Sequence, residues 1–161
     1  MKVKSAPSLK DPTILYLSFF GLGFFPKAPG TIGTLGIIPL LYYLSQEGVP
    51  KIFFIPFLII TTCFTCFVAE SVQKKMQLHD PQWIVIDEVL GMSVTWLFST
   101  HTSLLAFFIM IVLFRFFDIF KIWPASYFDK DVLHGSGTIL DDIVSGLYAG
   151  LSYLLIEKFL L

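Results

Sequence analysis

The sequence predicts an all-α fold: a compact multi-helix integral membrane domain with about six helices, some of them short or re-entrant. Three observations carry that expectation. Residues of the AVILMFWYC set make up 55% of the chain and charged residues 14%, where a soluble domain usually carries about 25% charge. Mean hydropathy is +0.77, and Phe alone occurs 18 times, which is more apolar surface than one small domain hides inside itself. The apolar runs are long and lack period-two alternation, so helices fit and strands do not; open sheet edges are also not tolerated in lipid. At 161 residues the whole chain, 1–161, reads as a single domain.

Each helix follows from a charge-free run and its breaks. Residues 1–12, with Lys2, Lys4 and Lys10, form an N-terminal segment expected on the cytoplasmic side, and they lack the early apolar stretch and small-residue cleavage site of a signal peptide. The run 12–26 is short and broken by Gly21 and Gly23, which predicts a short or re-entrant helix near 13–23. The run 28–46 begins with Gly and Thr and turns aliphatic after Leu35, which predicts a helix over 31–46. The cleanest run, 52–69, is bounded by Lys51 and Glu70 and predicts a helix over 51–77. It alone meets the roughly 20 apolar residues that a span needs. The run 89–114 is too long for one span and is interrupted at 99–103, which gives helices near 83–99 and 103–121; the run 143–156 gives the last, near 138–159. Repeats and linkers are absent. Lys74 and Lys75 follow the third run and Lys121 and Lys130 the fourth, so the positive-inside tendency places those junctions in the cytoplasm.

Some function classes fall away early. A net charge of −1 provides no basic field for nucleic acid. Cys63 and Cys66 have C-x-x-C spacing, but their flanks are Thr and Phe and no second ligand pair exists, so they read as small packing residues on a membrane helix.

The chemistry is announced by the acids. Asp87-Glu88 and Asp141-Asp142 are adjacent pairs set in apolar sequence, and Asp118 lies three residues after Arg115 and three before Lys121. Ionisable groups at membrane depth cost at least a few kcal/mol each and are functional candidates by default. Paired like charges are unfavourable unless a cation sits between them, and Mg²⁺ takes carboxylate oxygens together with substrate phosphate. Asp87, Glu88, Asp118, Asp141 and Asp142 are therefore the expected metal ligands and catalytic acids, with Arg115 and Lys121 holding phosphate. Gly91 and Gly146 follow the two pairs closely and let a neighbouring helix or a head group approach. A plain helix-start role, offsetting the dipole, suits Asp141-Asp142 after Gly135-Ser136-Gly137 better than it suits Asp87-Glu88. The Gly- and Pro-rich stretch 21–34 breaks any helix and offers Lys27, Thr31 and Thr34 as further phosphate donors, with Thr31 able to cap the next helix. It lacks the Gly-Lys-Ser/Thr ending of a Walker loop. Asp80 is a further ligand or cap. His79 reads as structural.

Three blocks together resemble the phosphatidylglycerophosphatase A family over roughly residues 21–150. They are the loop Pro26-Lys27-Ala28-Pro29-Gly30-Thr31-Ile32-Gly33-Thr34, the block Ile86-Asp87-Glu88-Val89-Leu90-Gly91-Met92, and the stretch from Phe114-Arg115 through Asp118 and Lys121-Ile122-Trp123-Pro124 to Asp141-Asp142. The resemblance implies Mg²⁺-dependent hydrolysis of the phospholipid phosphatidylglycerophosphate to phosphatidylglycerol and phosphate, at the bacterial inner (cytoplasmic) membrane with the active site facing the cytoplasm. It also implies an all-helical fold. Similar members commonly read Lys-Pro-Trp-Pro where this chain has Ile122, and Gly-Gly where it has His134-Gly135; neither change removes a carboxylate. Attack by water, deprotonated by one acid, and attack by a carboxylate are both open. The rival class is an ion- or proton-coupled transporter, which needs midplane acids and an internal repeat.

Overall fold

The computed structural model describes residues 7–78, 80–100, 103–132 and 135–160. His79, His134 and residues 1–6 of the N-terminal segment lie outside them. The described residues form seven α-helices and two 3₁₀ turns, with no strand among them.

Helix α1, Pro12–Leu17, starts on Asp11, whose side chain accepts the Thr13 amide at 2.9 Å, with Pro12 in the first turn. A 3₁₀ turn at Leu22–Phe24 completes the expected broken element. Helix α2 is Pro29–Gln46 and begins two residues before the predicted start. Ala28 takes a left-handed φ of 49° and Pro29 occupies the first helical position, so Thr31 lies inside the first turn and caps nothing. Helix α3, Phe54–Met76, follows a 3₁₀ turn at Lys51–Phe53 and carries Lys74 and Lys75 in its last turn, where they offset the dipole. Helix α4, Ile86–Leu97, is shorter than predicted. Residues 83–85 precede it as loop, and the Val85 amide donates to the Leu17 carbonyl at 3.0 Å, tying this loop to α1. Helix α5, Leu104–Phe120, is capped by Ser103 and ends where Lys121 turns left-handed at φ 43°. Helix α6, Ala125–Asp131, was not expected: it has seven residues, three of them charged, and no apolar run to announce it. Helix α7 is Gly135–Leu160.

Helix α4 is the axis of the bundle. Almost all of its residues are buried, and α2, α3, α5 and α7 all pack against it. Its closest partner is α7. A Cβ at Gly146 would overlap the Gly91 carbonyl, and a Cβ at Gly91 would overlap the Phe114 ring and the Asp142 carbonyl. Thr95 Oγ1 donates toward both the Gly91 and Gly146 carbonyls, at 3.1 and 3.2 Å. This is the small-residue crossing that lets two helix backbones approach without a hydrophobic drive between them. Trp96, Phe107, Phe114, Met110 and Tyr153 fill the interior around it. On the outside, Phe57, Ile59, Ile60, Phe64 and Phe67 of α3 and Phe108, Val112 and Phe116 of α5 are exposed, a surface suited to lipid. Among the described residues, two helical stretches are long and apolar enough to cross a membrane, Lys51–Met76 and Gly135–Phe159. The helix of the second starts earlier than its apolar run does.

The end of α4 away from its acids is closed by Lys51. Its ammonium donates to the Trp96 carbonyl and to Ser99 Oγ, both at 2.7 Å, and to the Ser99 carbonyl, and it lies 4.6 Å from the Trp96 ring centre. Nearby, Glu157 of α7 accepts the Thr100 amide at 2.9 Å. Replacing Lys51→Met leaves those carbonyls without their donor. We expect a loss of about 2 kcal/mol, the scale of a charged hydrogen bond, read as a lower denaturation midpoint in detergent micelles. An unchanged midpoint would mean that Lys51 does not hold this end.

Candidate active site

At the opposite end, where α2, α4 and α7 begin and α5 finishes, lies a cavity of about 490 Å³. Helix α4 supplies Asp87 and Glu88 from its first turn, and α7 supplies Asp141 and Asp142. Helix α5 supplies Arg115 and Asp118 from its last two turns, and the loop after it supplies Lys121. Asp87, Asp141 and Asp142 are 6%, 2% and 4% exposed, so these are interior carboxylates and not surface charges. One oxygen from each of Asp87, Glu88 and Asp142 lies within 4.8 Å of the other two. The reason is local: Gly91 sits one turn after Asp87-Glu88 and Gly146 one turn after Asp142, so the tight glycine crossing fixes how far apart the acids stand.

The helix-dipole assignment reverses the sequence expectation. Asp87 and Glu88 are the acids in a first turn, where the helix start favours negative charge. Helix α7 begins at Gly135, three residues before the predicted start, which puts Asp141 and Asp142 well inside it and out of reach of that effect.

Two cations face the acids. Arg115 Nη1 lies 2.6 Å from Asp118 Oδ2 and 3.8 Å from Glu88 Oε1. Lys121 was expected to share a face with Asp118, but the chain leaves the helix at that residue. Its ammonium contacts Asp129 of α6 at 2.7 Å and pairs with Asp141. Burial by itself disfavours the Lys121 charge, yet the Asp141 carboxylate, with the Asp129 bond, outweighs it and holds the pKa above that of an ordinary lysine. Six acids, Asp80 included, against two cations give the cavity an excess of formal negative charge. Glu88 Oε2 is buried and has no hydrogen-bond partner among the described residues. An all-oxygen donor set, an unpartnered carboxylate oxygen and an excess of negative charge fit a hard divalent cation such as Mg²⁺.

The loop before α2 contributes backbone. Ala28, Pro29 and Gly30 line the cavity, and a Cβ at Gly30 would overlap the Glu88 carboxylate. Lys27 is exposed, and Lys27, Thr31 and Thr34 are not among the lining residues; Thr34 is buried and donates to the Gly30 carbonyl at 3.0 Å. Asp80, in the loop before α4, also lines the cavity. Gln82 and Thr138 also line the cavity. Neither was singled out, because an isolated Gln or Thr carries no spacing signal. Cys63 and Cys66 are free thiols on α3, and neither lines the cavity.

Residues 15–157 match the phosphatidylglycerophosphatase A family. The chain is 32% identical over 151 residues to phosphatidylglycerophosphatase A of Escherichia coli (strain K12), covering 93% of this chain and 87% of that protein. It is 35% identical over 155 residues to phosphatidylglycerophosphatase A of Haemophilus influenzae, covering 96% of this chain and 94% of that protein. No solved structure matches the chain.

If the glycine crossing sets the acid spacing, Gly146→Ala drives α4 and α7 apart. Mn²⁺ affinity, read by titration calorimetry or electron spin resonance, is expected to fall at least about tenfold with helix content retained, as for loss of a group that orients ligands. Unaltered affinity in a folded variant would show that the crossing does not govern the acids.

Proposed function

This chain belongs to the phosphatidylglycerophosphatase A family, and on that premise we propose that it hydrolyses the terminal phosphomonoester of phosphatidylglycerophosphate, releasing phosphatidylglycerol and phosphate, with Mg²⁺ as its cofactor. The observation that carries the reading is the convergence of acids from three helices with Arg115 and Lys121 on one cavity, where a Glu88 oxygen has no hydrogen-bond partner among the described residues.

Asp87, Glu88 and Asp142 are the residues that would hold Mg²⁺, with Asp118 and Asp141 close by. When bound, the ion supplies neutralisation of the phosphate oxygens and stabilises charge as it develops. The remaining work belongs to the chain. Arg115, steadied by Asp118, presents a planar donor fork to the phosphate oxygens. Lys121, held between Asp129 and Asp141, adds a compact positive charge on the other side. The start of α2 lies against the same space, and backbone amides at a helix start suit an anion, with Lys27, Thr31 and Thr34 nearby in the same segment as further donors. A carboxylate in the cluster accepts the proton of the attacking water. Attack by a carboxylate itself is the competing route, and single-turnover entry of solvent ¹⁸O into phosphate, set against trapping of a phosphorylated acid, separates the two.

The membrane is part of the proposal. Lys10, Lys27, Lys74, Lys75, Lys121 and Lys130 belong to the cavity end or the loops beside it, whereas Lys51 and Lys158 mark the other. The positive-inside tendency then sets the cavity toward the cytoplasm of a bacterial inner membrane. The transporter alternative draws no support from the relatives or from acids gathered at one end of the bundle.

In detergent–lipid mixed micelles, Asp87→Asn, Asp118→Asn and Asp142→Asn should each lower phosphate release at least about a hundredfold, the usual scale for loss of a key electrostatic group. Near-normal rates in all three would sink the site. EDTA should abolish release and Mg²⁺ restore it; release indifferent to EDTA would remove the metal from the mechanism.

A further inference from the structure

The walls of the cavity are of two kinds. Asp80, Gln82 and Lys121 form a polar rim on the loops before α4 and after α5, and Ala28, Pro29 and Ile119 form an apolar one where α2 begins and α5 ends. Among the lining residues Ile119 is the large hydrophobic one that is also exposed, at 67%, on the outside of the bundle. Its side chain therefore stands where the phosphate site meets the outer surface. From there an exposed apolar stripe runs along α5 through Phe116, Val112 and Phe108, at one-turn spacing. Helices α2 and α5 bound this face. Far from the acids they close on each other, with the Tyr42 and Phe107 rings 5.8 Å apart. At the cavity end the space between them holds the Glu88 carboxylate and the Arg115 guanidinium, which lie against Gly30.

The proposed substrate has the same division: a terminal phosphate on a head-group glycerol, joined through a phosphodiester to a diacylglycerol with two hydrocarbon chains. Building on the phosphatase reading above, we infer that the cavity opens sideways into the lipid between the start of α2 and the end of α5, and that Ile119 is the specificity-determining residue past which the diacylglycerol part of the substrate leaves the phosphate site. The acyl chains lie along the Phe116–Val112–Phe108 stripe, so the lipid reaches the acids without lifting its chains into water.

The test compares two phosphomonoesters, phosphatidylglycerophosphate in mixed micelles and water-soluble glycerol 3-phosphate, across wild type, Ile119→Ser, Ile119→Trp and the control Phe67→Ser, which alters an exposed apolar residue of α3 remote from the cavity. The ratio of kcat/KM for the lipid to that for the soluble ester is expected to fall at least about tenfold in Ile119→Ser and Ile119→Trp, chiefly through KM, and to hold in Phe67→Ser. A ratio unmoved by both Ile119 variants, or moved equally by Phe67→Ser, overturns the lateral mouth and leaves the phosphatase reading standing. Hydrolysis of neither ester by wild type overturns both. A second measurement does not depend on the variants folding: a phosphatidylglycerophosphate with a photoreactive group in its acyl chains, bound to wild type in EDTA, should label residues 108–119 of α5 and be displaced by unlabelled lipid. Labelling confined to α3 refutes the assignment.

Discussion

The structure turns on the mutual repulsion of carboxylates held together away from water. Asp87, Glu88, Asp118, Asp141 and Asp142 share one cavity with Arg115 and Lys121. Repulsion of this kind is weak in water and several-fold stronger in a low-dielectric interior, so the cluster persists only if something forces it together. The force comes from the packing of α4 on α7. Gly91 and Gly146 remove the side chains that would separate the two backbones, and Thr95 hydrogen-bonds across the junction. The acids one turn away are carried along and have no freedom to move apart.

A bundle that concentrates strain at one end has to be secured elsewhere. Lys51 does this at the far end of α4 by binding the last carbonyls of the helix, while Trp96 Nε1 donates to Ser45 of α2 at 2.8 Å. The helix that carries Asp87 and Glu88 is therefore fixed at both ends, by a hydrogen-bonded cation at one and by close backbone contact near the other. Preorganised acids of this kind need little rearrangement when charge develops on a phosphate.

The parts of this arrangement that were legible in the sequence are those where charge and context conflict. An acid pair in an apolar run is costly wherever the helix ends fall, so Asp87-Glu88 and Asp141-Asp142 were visible, as were the five long helices and the broken segment before them. Helix α6 was not, because a seven-residue helix rich in charge reads as loop; with it went the partnership of Asp129 with Lys121. The start of α2 was misplaced because Thr31 is a good cap by type, whereas Pro29 after a left-handed Ala28 starts the helix sooner. That shift of two residues changes what the loop offers: its backbone, through Gly30, reaches Glu88, while Thr34 turns back to its own helix. Spacing alone also cannot reveal that Lys121 leaves the α5 face it shares with Arg115 on paper, since the turn is made by a left-handed lysine and not by a glycine. Gln82 and Thr138 had no signal at all, because their place in the cavity depends on tertiary packing alone.

The energetics also separate chemistry from packing. A core that served only stability would be better filled with apolar residues, since buried charges rarely recover what their desolvation costs. This chain has abundant Phe, Leu and Ile to do so, yet the buried Asp residues among the described ones all line one cavity. There it retains acids in excess of the cations beside them, and leaves a Glu88 oxygen without a partner among the described residues. Structural ion pairs tend toward local neutrality; a cluster held away from neutrality on purpose-built helix contacts is arranged for a charge that arrives from outside. Ile119 is exposed beside that cluster, and in the proposed lateral mouth the two walls divide the work: the acids would take the phosphate end of a substrate and the apolar side its hydrocarbon end.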